Sequence, residues 1–231
     1  MGSSLKIASV FGIELRINVS FLFLLGFFWF RFYEVGGVSG AVQGVVYILI
    51  LFACVTLHEF GHAFAARAFG IQTRDITLYA IGGVARLNRI PEKPWQELIV
   101  AIAGPLVNVV IAAALFLVMH VSSGFQEVDL LDNPRIALLD KVAWANVLLI
   151  LFNLIPAFPM DGGRVLRALL AMVTPYAKAT QIAAWIGQGL AVVFVIVGFK
   201  YNAILIFIGI SIFVGAQQEV VMSRANRPSP P

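Results

Sequence analysis

The sequence predicts an all-α polytopic membrane protein, a six-transmembrane-helix bundle with a small membrane-associated β-hairpin. Three observations lead there. Of 231 residues, 60% are hydrophobic and only 12% are charged, about half the charge of an ordinary soluble domain. The mean hydropathy is +0.92. Five stretches without Asp, Glu, Lys or Arg, at 36–57, 98–119, 142–160, 179–199 and 201–218, approach the ~20 apolar residues that a spanning helix needs. This composition excludes an ordinary cytosolic globule, and also a disordered chain, which requires low hydrophobicity. A single cysteine, Cys54, excludes an intramolecular disulfide and a cysteine-based metal cluster.

The first span is the shorter stretch 17–30, ended by Arg31, which can snorkel, with Trp29 suited to an interface. Its rival reading, a cleavable signal peptide, lacks a small-x-small cleavage site after the apolar run. The other five stretches complete six spans and place both termini on one side. Twelve basic residues then fall on the terminal side and four (Arg31, Arg135, Lys141 and Lys200) on the other, so the terminal side is expected to be cytoplasmic. Membrane topology accounts for the net charge of +4, and no nucleic-acid partner is implied. The opposite side carries a solvated acidic loop with Glu127, Asp129, Asp132 and Asp140. Residues 1–219 read as one six-helix core, and 220–231 as a polar, Pro-rich tail or linker.

Between the second and third spans, residues 76–81 are apolar and β-favouring, Gly82-Gly83 can form a turn, and 84–87 can return as a strand. Unpaired strand edges are not tolerated against lipid. A hairpin here belongs at the interface or in a protein-lined cavity; a plain cytoplasmic loop is the alternative.

Ionisable groups inside spans are functional hypotheses by default. The second span ends in His58-Glu59-Phe60-Gly61-His62, an HExxH pattern on a helix. Histidines at i and i+4 project from one face a turn apart and can bind one Zn²⁺. Glu59 can sit beside the metal without ligating it and take a proton from a water. Burying these three groups in an apolar segment is costly unless they are paired or metal-bound.

A catalytic zinc has three protein ligands and an open position, so a third must come from another span at the same depth. His120 falls at the far end of its span. Asp161, in NLIPAFPMDGGR (153–164), falls on the same side as the histidines. Pro156 and Pro159 break the helical ladder before it, and Gly162-Gly163 loosens the chain after it. Capping of the following helix competes with ligation for this carboxylate. Asn108, the one amide in 98–119, suits either an oxyanion hydrogen bond or an interhelical one. Cys54, one turn before His58, reads as a small buried hydrophobe, and Gly187 and Gly189 as points of close helix contact.

HEFGH (58–62), GPLVN (104–108) and NLIPAFPMDGGR, in this order and placement, resemble the site-2 protease family of intramembrane zinc metalloproteases. IGGVARL (81–87) resembles that family's membrane-associated β-hairpin. The resemblance covers roughly residues 7–219. It implies one zinc per chain on His58, His62 and Asp161, with Glu59 as catalytic base. Asn108 would position substrate or stabilise the intermediate, with Asn153 in support. Ile81, Gly82, Gly83 and Val84 would meet substrate. The implied substrate is a transmembrane protein in the bilayer, such as a membrane-bound transcription factor, a pro-sigma or an anti-sigma factor, in a prokaryotic cell membrane. The loop 124–141 is too short for a PDZ-like insertion, so the chain resembles the compact branch with archaeal and sporulation-type members. Two rivals are a metal transporter, which should string polar groups across the full membrane depth, and a non-catalytic scaffold with a structural zinc, which has no need of Glu59.

Overall fold

The computed structural model describes residues 4–89, 91, 93–123 and 134–225. In chain order the elements are β1 (Ser4–Val10), β2 (Ile13–Asn18), α1 (Val19–Ala68), β3 (Thr73–Tyr79), β4 (Gly82–Leu87), α2 (Pro94–Ser123), α3 (Pro134–Asn153), α4 (Asp161–Ala171), α5 (Tyr176–Tyr201) and α6 (Ala203–Ala225). Among the described residues, four helices are long and apolar enough to cross a membrane: Val19–Ala68, Pro94–Val121, Tyr176–Tyr201 and Ala203–Ser223. The chain is thus mostly helical, with one small sheet.

α1 is one helix of 50 residues with a break. Gly36 and Gly37 leave helical geometry, Gly37 at φ 59°, a value that glycine adopts without steric cost. The first two predicted spans are the arms on either side. The second arm runs on to Ala68, so HEFGH lies inside the helix rather than at its end. The first span begins two residues late, because Ile17 and Asn18 belong to β2, and Asn18 caps α1 by accepting from the Ser20 N–H at 3.0 Å. The apolar segment 142–160 is helical only as far as Asn153, and 154–160 is irregular. Asp140 lies in α3, while Glu127, Asp129 and Asp132 fall outside the described residues. Residues 220–225, read as the start of the tail, continue α6, and 226–231 fall outside the described residues.

The sheet has the order β1-β2-β3-β4. The β3–β4 hairpin forms as expected, but Tyr79 pairs with Gly82 and Leu78 with Gly83, so the turn is Ala80-Ile81 and the two glycines stand in the strand. The β1–β2 hairpin was not foreseen. Val10 pairs with Ile13 across Phe11-Gly12, and both turn residues have positive φ, 53° and 83°, which matches the right-handed twist of a two-residue hairpin. Phe11 accepts that conformation against Phe64 and Phe60, whose ring centroids lie at 5.4 and 6.5 Å. β2 and β3 are parallel, with α1 as the crossover between them.

The chain divides into two compact units, 1–90 with 103–150 and 91–102 with 151–231. In the first, Ile13 and Ile76 of the sheet close on Phe60 and Ala63 of α1. Gly61 lets α1 approach α2, since a Cβ there would lie 2.7 Å from the Ala103 carbonyl oxygen and 2.8 Å from Val107.

In the second unit, Ala157 and Phe158 pack against the small residues of α5 and against α6. Gly187 admits Ala157, at 3.2 Å from a notional Cβ, whereas Gly189 has nothing within 4 Å and supports no close contact. Gly162 and Gly163 do not loosen the chain. They are the first turn of α4, and a Cβ on either would run into the backbone of 154–158. Arg167 is 1% exposed and donates to Glu97 Oε1 from Nε at 2.8 Å and from Nη2 at 2.5 Å, and to Glu219 from Nη1. Its guanidinium also lies over the rings of Phe158 and Tyr176. Burial disfavours its charge, but Glu97 and then Tyr176 and Glu219 outweigh that and raise its pKa above the ordinary arginine value.

Arg167→Met leaves Glu97 buried and uncompensated. We expect a loss of about 3–5 kcal/mol, read as a lowered thermal midpoint of the helical signal in detergent. Glu219→Gln should cost clearly less, because the Glu219 side chain is 26% exposed.

Candidate metal centre

The centre begins with the second arm of α1. Hydrophobic packing of Phe60 and Ala63 against the sheet orients the helix and turns His58 and His62 to the opposite side, where they are 5% and 4% exposed. Their rings meet edge to face at 4.7 Å between centroids. Their Nε2 atoms lie 3.0 Å apart.

His58 Nδ1 lies 2.5 Å from Asn108 Oδ1. An amide oxygen only accepts, so Nδ1 carries the hydrogen and Nε2 presents a lone pair. That lone pair faces His62 Nε2, and two such nitrogens need a proton or a cation between them. Nitrogens held about 2.0–2.1 Å from one tetrahedral zinc are about 3.3 Å apart, close to the observed separation. Gly104 on α2 keeps the space clear: a Cβ there would lie 2.7 Å from His58 Nε2 and closer still to His62. The pair therefore fits a zinc ion with both Nε2 atoms as donors.

Glu59 is half-buried beside the pair. Its Oε2 accepts the Ala85 N–H of β4 at 3.2 Å. Gly83 is packed on the same side chain, with a notional Cβ 2.8 Å from Glu59 Cγ. The glycine-rich start of β4 thus makes room for the carboxylate, a role that the sequence reading did not assign to it. Ile81, in the turn, is 87% exposed and Val84 46% exposed.

Asn108 is fully buried, with its oxygen on His58 and its Nδ2 donating to Asn146 Oδ1 at 2.7 Å. Asn108 thus makes a hydrogen bond between helices, with His58 at its other end. Asn146 escaped sequence reasoning. A lone amide in the middle of the apolar run 142–152 was the available signal. The Glu97–Arg167 pair was missed too, because 70 residues separate its members. Cys54 is buried, with Sγ 3.4 Å from Asn146 Nδ2. His120 lies in the last turn of α2.

Asp161 belongs to the second unit. It is 7% exposed and is the first residue of α4, while Met160 holds the N-cap position. The irregular segment 154–160 delivers it there through short turns, including Ala157 N–H to Ile155 O at 2.7 Å and Met160 N–H to Ala157 O at 3.0 Å. Asn153 is the last residue of α3 and is half-buried.

The profile of Peptidase family M50 matches residues 46–135 and 127–196. The chain belongs to this family. It is 37% identical over 220 residues to a zinc metalloprotease of Methanocaldococcus jannaschii, covering 95% of this chain and 61% of that protein. It is 26% identical over 148 residues to stage IV sporulation protein FB of Bacillus subtilis, covering 64% of this chain and 47% of that one. The chain therefore spans about half to three-fifths of the length of these curated relatives. Among solved structures it resembles a site-2 protease from Methanocaldococcus jannaschii, with a TM-score of 0.68 and 34% identity over 99% of this chain and 98% of that one. M50 membership and the apolar helices make this a membrane protein.

In this M50 chain Gly104→Ala places a methyl group against both Nε2 atoms. Metal analysis after dialysis should show zinc falling from about one per chain to well below it, with helix content by circular dichroism unchanged.

Proposed function

We propose that this chain is an intramembrane zinc metalloprotease that hydrolyses peptide bonds in or near transmembrane segments of membrane-bound proteins. The observation that carries this reading is the His58–His62 pair, buried in an apolar helix with Nε2 facing Nε2 at 3.0 Å and with Glu59 between them in sequence. Asp161, also buried and at a helix N-terminus, supplies the third ligand. The zinc supplies Lewis acidity toward a water and toward a carbonyl oxygen.

The residues divide the remaining work. Glu59 accepts the proton of the attacking water through Oε1, while the Ala85 N–H holds Oε2. The same carboxylic acid then returns the proton to the leaving amine nitrogen as the C–N bond breaks. Asn108 holds His58 in its ligating tautomer. β4 ends the sheet, so an extended substrate segment adds along its free side, over Gly83 and next to Glu59. A substrate helix must unwind locally for this, because its carbonyls are engaged internally. Ile81 and Val84 are apolar contacts for such a segment, and Asn153 supports the segment that carries Asp161.

Six crossings complete the topology: the two arms of α1, then α2, α3, α5 and α6. Both termini and the metal side are cytoplasmic, in accord with the twelve-to-four distribution of Lys and Arg. The substrate class is a transmembrane protein whose cleavage releases a cytoplasmic portion, as for a membrane-bound transcription factor or a sigma-factor precursor or inhibitor.

The test uses the chain purified in detergent and a panel of single-span substrates. Wild type should carry about one zinc and cleave, phenanthroline should stop cleavage, and added zinc should restore it. Glu59→Gln should keep its zinc and lose about 10²–10⁴ in rate. Asp161→Asn should lose zinc occupancy. Full cleavage by Glu59→Gln, or full zinc and activity in Asp161→Asn, would overturn the respective assignment.

A further inference from the structure

The hydrogen bond on His58 does not stop at Asn108. Asn108 Nδ2 donates to Asn146 Oδ1 at 2.7 Å. Asn146 Nδ2 donates in turn to the Val142 carbonyl at 2.8 Å, one turn back on the same helix. Asn108 and Asn146 are both fully buried, so each end of each amide needs a partner inside the protein.

This chain of bonds has a direction. An amide side chain has one accepting end and one donating end, and from outline alone it fits either way round. A backbone carbonyl only accepts. Val142 O therefore requires the nitrogen of Asn146 to face it, which turns Asn146 Oδ1 toward Asn108. Asn108 must then offer Nδ2 to Asn146 and Oδ1 to His58. His58 must carry its hydrogen on Nδ1, and its Nε2 turns a lone pair toward His62.

We propose that Asn146 is a positioning residue for the metal site: anchored on Val142 O, it fixes the orientation of Asn108 and thereby which ring nitrogen of His58 is free to ligate. Without Asn146, Asn108 can reverse and donate Nδ2 to His58 Nδ1. The hydrogen then moves to Nε2, and that nitrogen no longer binds a metal. The assignment rests on the metal-centre reading above. Partners of this kind behind a ligating histidine commonly govern affinity by about 10- to 100-fold.

The test is a double-mutant cycle on the full-length chain in detergent, with zinc retention against a chromophoric chelator as the readout. Asn146→Leu should weaken zinc retention by about 10- to 100-fold. Asn108→Asp replaces the reversible amide with a carboxylate that accepts at both oxygens. The double variant Asn108→Asp/Asn146→Leu should therefore recover at least most of that loss. If leucine is not accommodated, the same cycle built on Asn146→Ala, which opens space, gives the answer. Unchanged zinc retention in the Asn146 variant overturns the proposal. So does a loss that Asn108→Asp fails to repair, since that pattern marks a packing defect. A wild-type chain that binds no zinc overturns the metal-centre reading and this inference together, a result distinct from the other two.

Discussion

His58 is an imidazole buried in an apolar helix, and every polar atom near it must be satisfied by protein. That constraint shapes the first unit. The Nδ1 hydrogen goes to Asn108, the Asn108 nitrogen to Asn146, and the Asn146 nitrogen to the carbonyl of Val142. Two of these bonds tie three helices together, and the third anchors Asn146 on its own helix. Unpaired buried polar groups cost about 1–3 kcal/mol each, so the network is held in one arrangement. That arrangement puts a lone pair on His58 Nε2, which faces the second histidine. The small residues around it follow from the same demand. Gly61 lets α1 meet the backbone of α2, and Gly104 leaves room for the two imidazoles.

The second unit solves a different burial problem. Arg167 is almost completely enclosed, and its charge is matched by Glu97 from the start of α2 and by Glu219 from α6. Two aromatic faces complete its surroundings. The arginine sits on α4, whose first residue is Asp161, so the ion network and the glycine contacts at 162 and 163 together set where that carboxylate begins its helix. Replacement of such a network by apolar residues is often neutral for stability, whereas removal of one member is costly. Its evident use here is to locate a short helix that has only eleven residues and could not hold itself in place by propensity alone.

Much of this was legible in the chain. Helical spacing alone brings His58 and His62 onto one face, and the cost of burying them points to a metal. Long apolar runs announce α2, α5 and the start of α6 to within a few residues. The β-favouring run 76–81 and the return 84–87 announce a hairpin, but its turn is Ala80-Ile81 rather than Gly82-Gly83. Gly-Gly is a common turn signal, yet here both glycines stand in the strand, and at Gly83 a side chain would strike Glu59. The first hairpin, 4–18, also alternates around Phe11-Gly12, and it was passed over because the apolar run of the first span begins inside it. Asn146 was invisible as a functional residue. One amide in an apolar helix is identified by what it touches, and its partner is 38 positions away.

The sequence by itself determined that the chain is built of long apolar helices, that it carries a two-histidine metal pattern with a neighbouring glutamate, and that its polar chemistry is concentrated in a few short motifs. These are properties of local composition and of helical period, and they survive any arrangement of the helices. Only the tertiary structure decided which nitrogen of His58 is available, that Asn108 serves the histidine, and that Gly83 and Gly104 are vacant places beside Glu59 and the imidazoles. Those facts depend on the direction of hydrogen bonds and on distances between segments remote in sequence, which no local pattern encodes.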